Sequence, residues 1–359
     1  MNSAVGRSPK VNNFDLLRIF AATQVVLVHG VAHLQLDAPR WALRLLSAFP
    51  GVPIFFVISG FLISSAYQRN PQLHRYWRNR ALRILPALWC CIVATVIVAT
   101  LFGHSFLSMD GLTWFVTQLG GLIYTPGFLK SFGFGSYNGS LWTIPIELQF
   151  YVLLPPLYWI AYRRRRGDET VLWMIWLLFV AIVLAASAYS PPLLERTDEP
   201  LPAKLFRYSF VPHFYLFVTG VLLQRLRFHT WAAVGGKGVY WLGAYLACYL
   251  LIPDSLVRDT INMLMLGLTA VAMAYTRPGL ANRVLRGNDI SYGVYIYHGL
   301  LLNILVELGI TGRWSLIPPL LACTYAAGLA SWLLVERRFL RRKAEPAGYH
   351  LPATTIRNP

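Results

Sequence analysis

The stretch from Phe14 to Leu34 carries ionisable side chains inside a run that is long and apolar enough to cross a bilayer as a helix. These side chains are Asp15, Arg18 and His29. Ionisable groups are costly in hydrocarbon, so each needs a partner, a cavity or a chemical role. Arg18 and His29 lie eleven positions apart, which places them on one helix face, separated by about 16 Å along the axis. Two interpretations are open: snorkelling and bundle-stabilising groups, or a site in which the imidazole acts as a base.

A second group of basic residues precedes the apolar run that begins near residue 84. Arg78, Arg80 and Arg83 lie in the segment HRYWRNRALRILP. If this segment is helical, Arg80 and Arg83 share a face, because residues three apart are neighbours on a helix. Guanidinium groups bind phosphates through paired hydrogen bonds, so the two arginines suit a phosphate-bearing ligand at a water interface. The alternative is a cluster that sets topology and contacts lipid headgroups.

A carboxylate and an imidazole lie in two later apolar segments. Glu147 follows Trp142 in SLWTIPIELQFY, and Tyr151 is on its helix face. A carboxylate at that depth must be paired, protonated or hydrated, so it predicts either a structural ion pair or a site group. His298 lies in NDISYGVYIYH, where it is either a site group or a core hydrogen-bonding residue.

The start of that later segment holds further candidate residues. Ser291 and His298 share nearly one face, and Asp289 and Ser291 are expected to cap the helix. Tyr292 is expected to pack or to anchor the helix at the interface.

The composition of the chain shows which elements must position these residues. The 359 residues are 56% hydrophobic and 13% charged, which is typical of a multi-pass membrane protein. The net charge of +17 could suggest nucleic acid, but the Lys and Arg residues lie in short clusters between apolar segments. That distribution indicates positive-inside topology and contact with anionic lipids. The four cysteines show neither metal-ligand spacing nor a disulfide pattern, and no metal is expected.

The predicted fold is an all-α bundle of about ten membrane-spanning helices. The spans are predicted near residues 14–34, 48–67, 84–103, 140–162, 170–189, 208–224, 232–252, 258–276, 289–308 and 314–335. Most of the 32 Lys and Arg residues fall in the connections on one side, together with both termini. The termini are therefore expected in the cytoplasm.

Two regions outside the spans have their own predictions. The segment 104–139 contains a short apolar part and a Gly-rich run, which indicates an outer-face helix and a mobile or re-entrant loop able to line a cavity. Residues 1–343 are predicted to form one transmembrane domain. Residues 344–359 are expected to be a disordered cytoplasmic tail.

Several short motifs follow one another along nearly the whole chain. They are the Arg18–His29 spacing, FFVISGFLI (55–63), RALRILP (80–86), SLWTIPIELQFY (140–151), FYLFVTG (214–220), ISYGVYIYH (290–298) and VERRF (335–339). The ordered set resembles the membrane-bound acyltransferase-3 family. Pro145 departs from the family pattern and could kink the entry to its helix without removing Glu147.

The resemblance implies transfer of an acyl group, commonly acetyl, from acyl-CoA to a hydroxyl of a glycan, polysaccharide or glycolipid at the bacterial inner membrane. In this hypothesis His29, Arg18 and Glu147 are catalytic, and Arg78, Arg80 and Arg83 bind acetyl-CoA. Asp15, Trp142, Tyr151, Ser291, Tyr292 and His298 support the substrate or the site. Polysaccharide-assembly proteins are possible partners, and nucleic acid is not. A transporter of a lipid-linked sugar or acid, or a non-catalytic assembly scaffold, is the alternative.

Overall fold

The computed structural model describes residues 12–162, 169–189 and 201–342 of the chain, and within these ranges it is helical without strands. The helices are α1 (Phe14–His33), α2 (Arg40–Ala48), α3 (Gly51–Arg69), α4 (Leu73–Leu101), α5 (Met109–Leu119), α6 (Thr143–Tyr162), α7 (Thr170–Tyr189), α8 (Leu201–Arg207), α9 (Phe214–Arg225), α10 (Gly238–Leu251), α11 (Leu256–Ala274), α12 (Leu280–Leu285), α13 (Ser291–Glu307), α14 (Ile317–Ser331) and α15 (Arg337–Leu340). A π-helical turn, Trp332–Glu336, joins α14 to α15. The tail 344–359 predicted to be disordered lies outside the described residues.

The all-helical membrane fold expected from the sequence is confirmed. Among the described residues, 7 helical stretches are long and apolar enough to cross a bilayer: Phe14–His33, Arg40–Arg69, Leu73–Leu101, Gly139–Tyr162, Thr170–Ala188, Leu256–Ala274 and Trp314–Leu340. The remaining predicted spans contain α9, α10 and α13, which are shorter, with 12, 14 and 17 residues. The number of crossings and the location of the termini stay predictions.

Helix α4 begins earlier than the sequence predicted. It starts at Leu73, not near residue 84, so the segment HRYWRNRALRILP belongs to the helix and is not a loop. Pro71 precedes the helix, and Arg, Leu and Ala, which are strong helix formers, dominate its first turns. Arg80 and Arg83 therefore share a helix face, as the conditional prediction required.

Helices α3 and α9 pack with their backbones in direct contact. A Cβ atom on Gly60 would lie 2.0 Å from the carbonyl oxygen of Phe217, and one on Gly220 would lie 2.1 Å from that of Val57. No side chain fits at such distances, so both positions need glycine. Small residues at an interface let membrane helices approach closely, and here they hold one face of α3 in the centre of the bundle.

The segment between α4 and α6 consists of the short helix α5 and an irregular loop anchored on α13. Asn303 donates to the carbonyls of Ser136 and Tyr137 at 2.9 and 2.8 Å and accepts from the Phe134 N–H at 3.1 Å. Irregular backbone at membrane depth requires such internal partners, since lipid offers none. The predicted short helix is present, and the loop is held by the bundle but contributes no residue to the cavity described below. Its location relative to the membrane stays a prediction.

Contacts between distant segments group the helix ends as alternating spans require. Asn13 donates its backbone N–H to the carbonyl of Ala274 at 2.7 Å, and Arg78 donates to the carbonyl of Arg342 at 3.1 Å. We call the end of the bundle that contains Asn13, Arg69, Ala274 and Arg342 the basic end. At the opposite, far end, Gly312 donates to the carbonyl of Leu34 at 2.8 Å. The basic end is the end predicted to face the cytoplasm.

Candidate active site

A cavity of about 330 Å³ follows one face of α3 through the bundle. The residues that α3 contributes to its wall recur every three or four positions, from Val52 near the far end to Arg69 at the basic end. These two residues are about 26 Å apart along the helix at 1.5 Å per residue. Helices α1, α4, α6 and α13 supply the other walls. The shape admits a long, thin ligand.

A network of charged side chains lies at the basic end of the cavity. Arg83 lies 2.6 Å from Asp289 and 3.7 Å from Glu336. Arg18 lies 3.3 Å from the same Asp289 oxygen and 3.6 Å from Asp15. These contacts join α1, α4 and α13 to the π-helical turn, and they balance the charge of both arginines with nearby carboxylates.

Arg80 is placed differently from Arg83, although both line the cavity. Its guanidinium carbon lies 5.8 Å from the ring centroid of Tyr151. Its Nε is buried and has no hydrogen-bond partner among the described residues, which leaves a costly unpaired donor. Arg69 also lines the cavity, whereas the exposed Arg78 does not. Arg80 therefore keeps hydrogen-bonding capacity for a ligand.

Glu147 lies in the cavity wall between its two ends. It accepts hydrogen bonds from Ser59, at 3.0 Å, and from the hydroxyl of Tyr151. The carbonyl of Tyr151 in turn accepts from Tyr76 at 2.9 Å. Pro145 falls in the first turn of α6, where a proline breaks no intrahelical hydrogen bond. Glu147 is thus held by α3 and α6 together, and Pro145 does not displace it.

Two histidines from opposite ends of the sequence meet beyond the cavity. Nδ1 of His29 lies 3.0 Å from Nε2 of His298, and Nδ1 of His298 lies 2.7 Å from the carbonyl oxygen of Tyr295. His298 is fully buried. Neither histidine lines the cavity, but Tyr295 does, and its ring centroid is 5.9 Å from that of His298. Tyr295 therefore borders both the cavity and His298.

The other residues singled out from the sequence surround this arrangement. Ser291 lines the cavity and donates to Asp289 at 2.5 Å. The N-cap residue of α13 is Ile290, without a side-chain capping hydrogen bond, so the expected cap by Asp289 and Ser291 is not formed. Tyr292 lines it too and donates to a backbone carbonyl of α4 at 3.1 Å. Trp142 lies outside the cavity wall, where its ring packs against His213 with centroids 5.5 Å apart.

Sequence reasoning missed three side chains near the site. Ser59 and Glu336 reach their partners only through tertiary packing. His33 lies 5.5 Å from His29, and its ring stacks on Phe134 of the anchored loop at 3.7 Å. Its i, i+4 spacing from His29 was the available signal. Within the described ranges, no group of three or more His, Cys, Asp or Glu residues is arranged to hold a metal ion.

A family model described as an acyltransferase domain, Acyl_transf_3, matches residues 11–336. The chain belongs to the acyltransferase-3 family. The matched range includes both histidines, the charged network and every cavity-lining residue except Leu340. The resemblance inferred from the ordered motifs is confirmed.

Several relatives of this acyltransferase-3 chain are known by name. Nodulation protein 10 of Rhizobium leguminosarum bv. viciae is 31% identical over 91% of this chain and 92% of its own length. An O-acetyl transferase of Shigella phage Sf6 is 25% identical over 93% of this chain and 98% of its own length. The peptidoglycan O-acetyltransferase OatA of Listeria monocytogenes is 31% identical over 40% of this chain and 24% of its own length. No solved structure matches the chain significantly.

Proposed function

We propose that this acyltransferase-3 protein transfers an acetyl group from acetyl-CoA to a hydroxyl of a glycan or glycolipid at the bacterial inner membrane. The observation that carries the proposal is the cavity leading from the basic end to Tyr295, whose ring lies next to His298 of the histidine pair. The names of the phage and Listeria relatives support acetyl transfer to oxygen, and the Listeria name supports a glycan acceptor.

The basic end of the cavity suits the phosphates of acetyl-CoA. Arg80 has an unpaired buried Nε there, and Arg69 lies in the same wall. Arginine binds phosphate through charge-assisted hydrogen bonds, which fits these donors to the CoA phosphates. The thin pantetheine arm would then follow α3 toward Tyr295. Acyl-CoA is made in the cytoplasm, in agreement with the predicted sidedness of the basic end.

Arg18 belongs to the donor end in this scheme. It contacts Asp289 and Asp15, and it lies about 16 Å from His29 along α1. At that distance a guanidinium group cannot hydrogen-bond to an oxygen that reacts beside His29. We therefore assign Arg18 to the arrangement of the donor end, and not to stabilisation of the thioester oxygen.

His29 is the proposed general base. Its imidazole takes the proton of the acceptor hydroxyl while the hydroxyl oxygen attacks the thioester carbonyl carbon. The C–S bond breaks, a C–O ester bond forms, and the departing thiolate of CoA recovers the proton from His29. Glu147 holds the hydroxyls of Ser59 and Tyr151 in the cavity wall and so shapes the path of the donor.

Purified protein in sealed proteoliposomes, supplied with acetyl-CoA labelled in the acetyl group, tests this function. The acceptors would be peptidoglycan fragments, lipopolysaccharide and lipid-linked oligosaccharides, with His29→Ala as the matched inactive control. We expect the wild-type protein to place label on an acceptor in a form released by mild alkali, as an ester is. Movement of an acceptor across the membrane without labelling would contradict the proposed enzyme and favour a transporter.

A further inference from the structure

We propose that His298 is a positioning residue that fixes the tautomer of His29 and leaves Nε2 of His29 as the proton acceptor. The inference rests on the proposed function, because it concerns how the general base of that reaction is prepared. Sequence spacing could not suggest it, since the two histidines are 269 positions apart.

The direction of each hydrogen bond follows from the Tyr295 carbonyl, because this group can accept a hydrogen bond but cannot donate one. The carbonyl oxygen of Tyr295 is an acceptor, so Nδ1 of His298, at 2.7 Å, carries a hydrogen. In a neutral imidazole the other nitrogen then has a lone pair. Nε2 of His298 therefore accepts from Nδ1 of His29 at 3.0 Å. Nε2 of His29 is left without a hydrogen and can take a proton.

Tyr295, whose backbone carbonyl accepts this hydrogen bond, is also anchored through its side-chain hydroxyl. The hydroxyl of Tyr295 donates to the carbonyl of Ser140 at 2.8 Å and bonds to Thr143 at 2.8 Å. His298 itself has no exposed surface. Water therefore has no access with which to replace the carbonyl as the partner of Nδ1, and the tautomer of His298 is set by the protein.

The hydrogen bond between the two histidines persists during the proposed reaction. When His29 gains a proton on Nε2, its Nδ1–H continues to donate to His298, so the ring need not turn. A neighbouring group that fixes the tautomer and orientation of a histidine is a recurrent device in both metal sites and catalytic triads. Here a neutral imidazole supplies it in place of a carboxylate.

Three substitutions at one position separate positioning from simple packing. His298→Leu removes both hydrogen bonds. His298→Gln places an amide oxygen near the former Nε2, where it can accept from His29. His298→Asn has the same chemistry on a shorter side chain, so its amide replaces Nδ1 and reaches only the carbonyl of Tyr295. His104→Gln is the control, because His104 also bonds a backbone carbonyl, that of Phe128 at 3.1 Å.

We expect His298→Leu to lower kcat for acetyl transfer by about 10- to 100-fold, the usual effect of removing an orienting partner. The KM for acetyl-CoA should not change, because the phosphate-binding arginines are at the other end of the cavity. His298→Gln should recover most of the lost kcat and His298→Asn should not. His104→Gln should match the wild type. Thermal melting of each sample shows that the compared variants are folded.

The opposite order of rescue would overturn the proposal, since a residue that only stabilises α13 through Nδ1 is better replaced by Asn. An unchanged kcat in a folded His298→Leu sample would overturn it as well. Both results leave the proposed function intact if the wild type transfers acetyl and His29→Ala does not. Loss of the proposed function would show instead as absence of transfer by the wild-type protein.

Discussion

At the scale of single residues, the candidate site divides into a donor end and a reacting end. Arg80 and Arg69 lie at one end of the cavity, and His29 lies beyond Tyr295 near the other. In the proposed function, phosphate binding and proton transfer therefore depend on different side chains. Substitutions at the two ends should change different kinetic constants, which makes the assignment testable one residue at a time.

His29 gives the first of these tests. His29→Gln places an amide near the former Nε2, where it can hydrogen-bond to the acceptor hydroxyl but cannot act as a base. If His29 is the general base, both His29→Gln and His29→Ala should lower kcat by about 10² to 10⁴. Acetyl-CoA binding, measured by calorimetry on the same samples, should stay near the wild-type value. An active, folded Gln variant would exclude His29 as the base and favour Glu147 or His298.

Arg80 and Arg83 form a matched pair, because both are arginines of α4 that line the cavity. Arg80→Ala should weaken acetyl-CoA binding and leave the melting temperature nearly unchanged. Arg83→Ala should lower the free energy of unfolding by about 3 kcal/mol or more, since it leaves Asp289 and Glu336 close together without their shared cation. Affinity and melting temperature are measured on both proteins.

A lysine replacement shows whether Arg80 acts through its charge alone or through the paired donors of its guanidinium group. Arg80→Lys should restore binding only partly, because an ammonium group lacks the paired donors of a guanidinium. If Arg80→Ala binds acetyl-CoA as tightly as the wild type, the arginines of α4 contribute to topology and packing alone.

At the scale of elements, α3 has two faces with different requirements. One packs on α9 through Gly60 and Gly220, and the other lines the cavity from Val52 to Arg69. The close contact on the first face holds α3 against α9, and we expect a displacement of α3 to change the width of the cavity. A substitution at Gly60 or Gly220 should therefore change ligand binding in the cavity, although neither glycine lines the cavity.

Gly60→Ala tests this relation. Its new methyl group would lie 2.0 Å from the Phe217 carbonyl oxygen, so α3 and α9 must separate. We expect a loss of about 1–3 kcal/mol in stability, typical of overpacking, and a lower affinity for acetyl-CoA. Gly243→Ala on the exposed face of α10 is the control, because no atom lies within 4 Å of its added Cβ. Equal melting temperatures for the two variants would contradict the packing account.

At the scale of the whole molecule, the distribution of charge predicts how the protein sits in the membrane. The segments at the basic end carry most of the Lys and Arg residues, and such segments stay in the cytoplasm. In the proposed function, this predicted orientation would give cytoplasmic acetyl-CoA access to Arg80. The proposed direction of transfer therefore requires the predicted topology.

Cysteine labelling measures this topology. In a background in which the four native cysteines are replaced by alanine, Arg283→Cys lies at the basic end and Lys130→Cys in the anchored loop; both native residues are exposed. A membrane-impermeant maleimide applied to intact spheroplasts should label the Lys130 variant. It should label the Arg283 variant only after the membrane is opened. Labelling of both before opening would refute the predicted sidedness.

The sequence by itself determined the class of this protein and singled out most residues of its candidate site. Apolar runs of bilayer length force helices, because lipid offers no partner for backbone polar groups. Ionisable residues inside such runs are rare and costly, so Arg18, His29 and Glu147 could be selected one by one. The ordered motifs were specific enough to indicate the family that residues 11–336 then matched.

Only the tertiary structure decided how these residues are paired. Arg80 and Arg83 look alike in the sequence, yet one has an unpaired donor and the other is held by two carboxylates. His29 and His298 looked like separate bundle histidines until helix packing placed them 3.0 Å apart. The helical repeat relates residues a few positions apart, whereas contacts between α1 and α13 depend on the packing of the entire bundle.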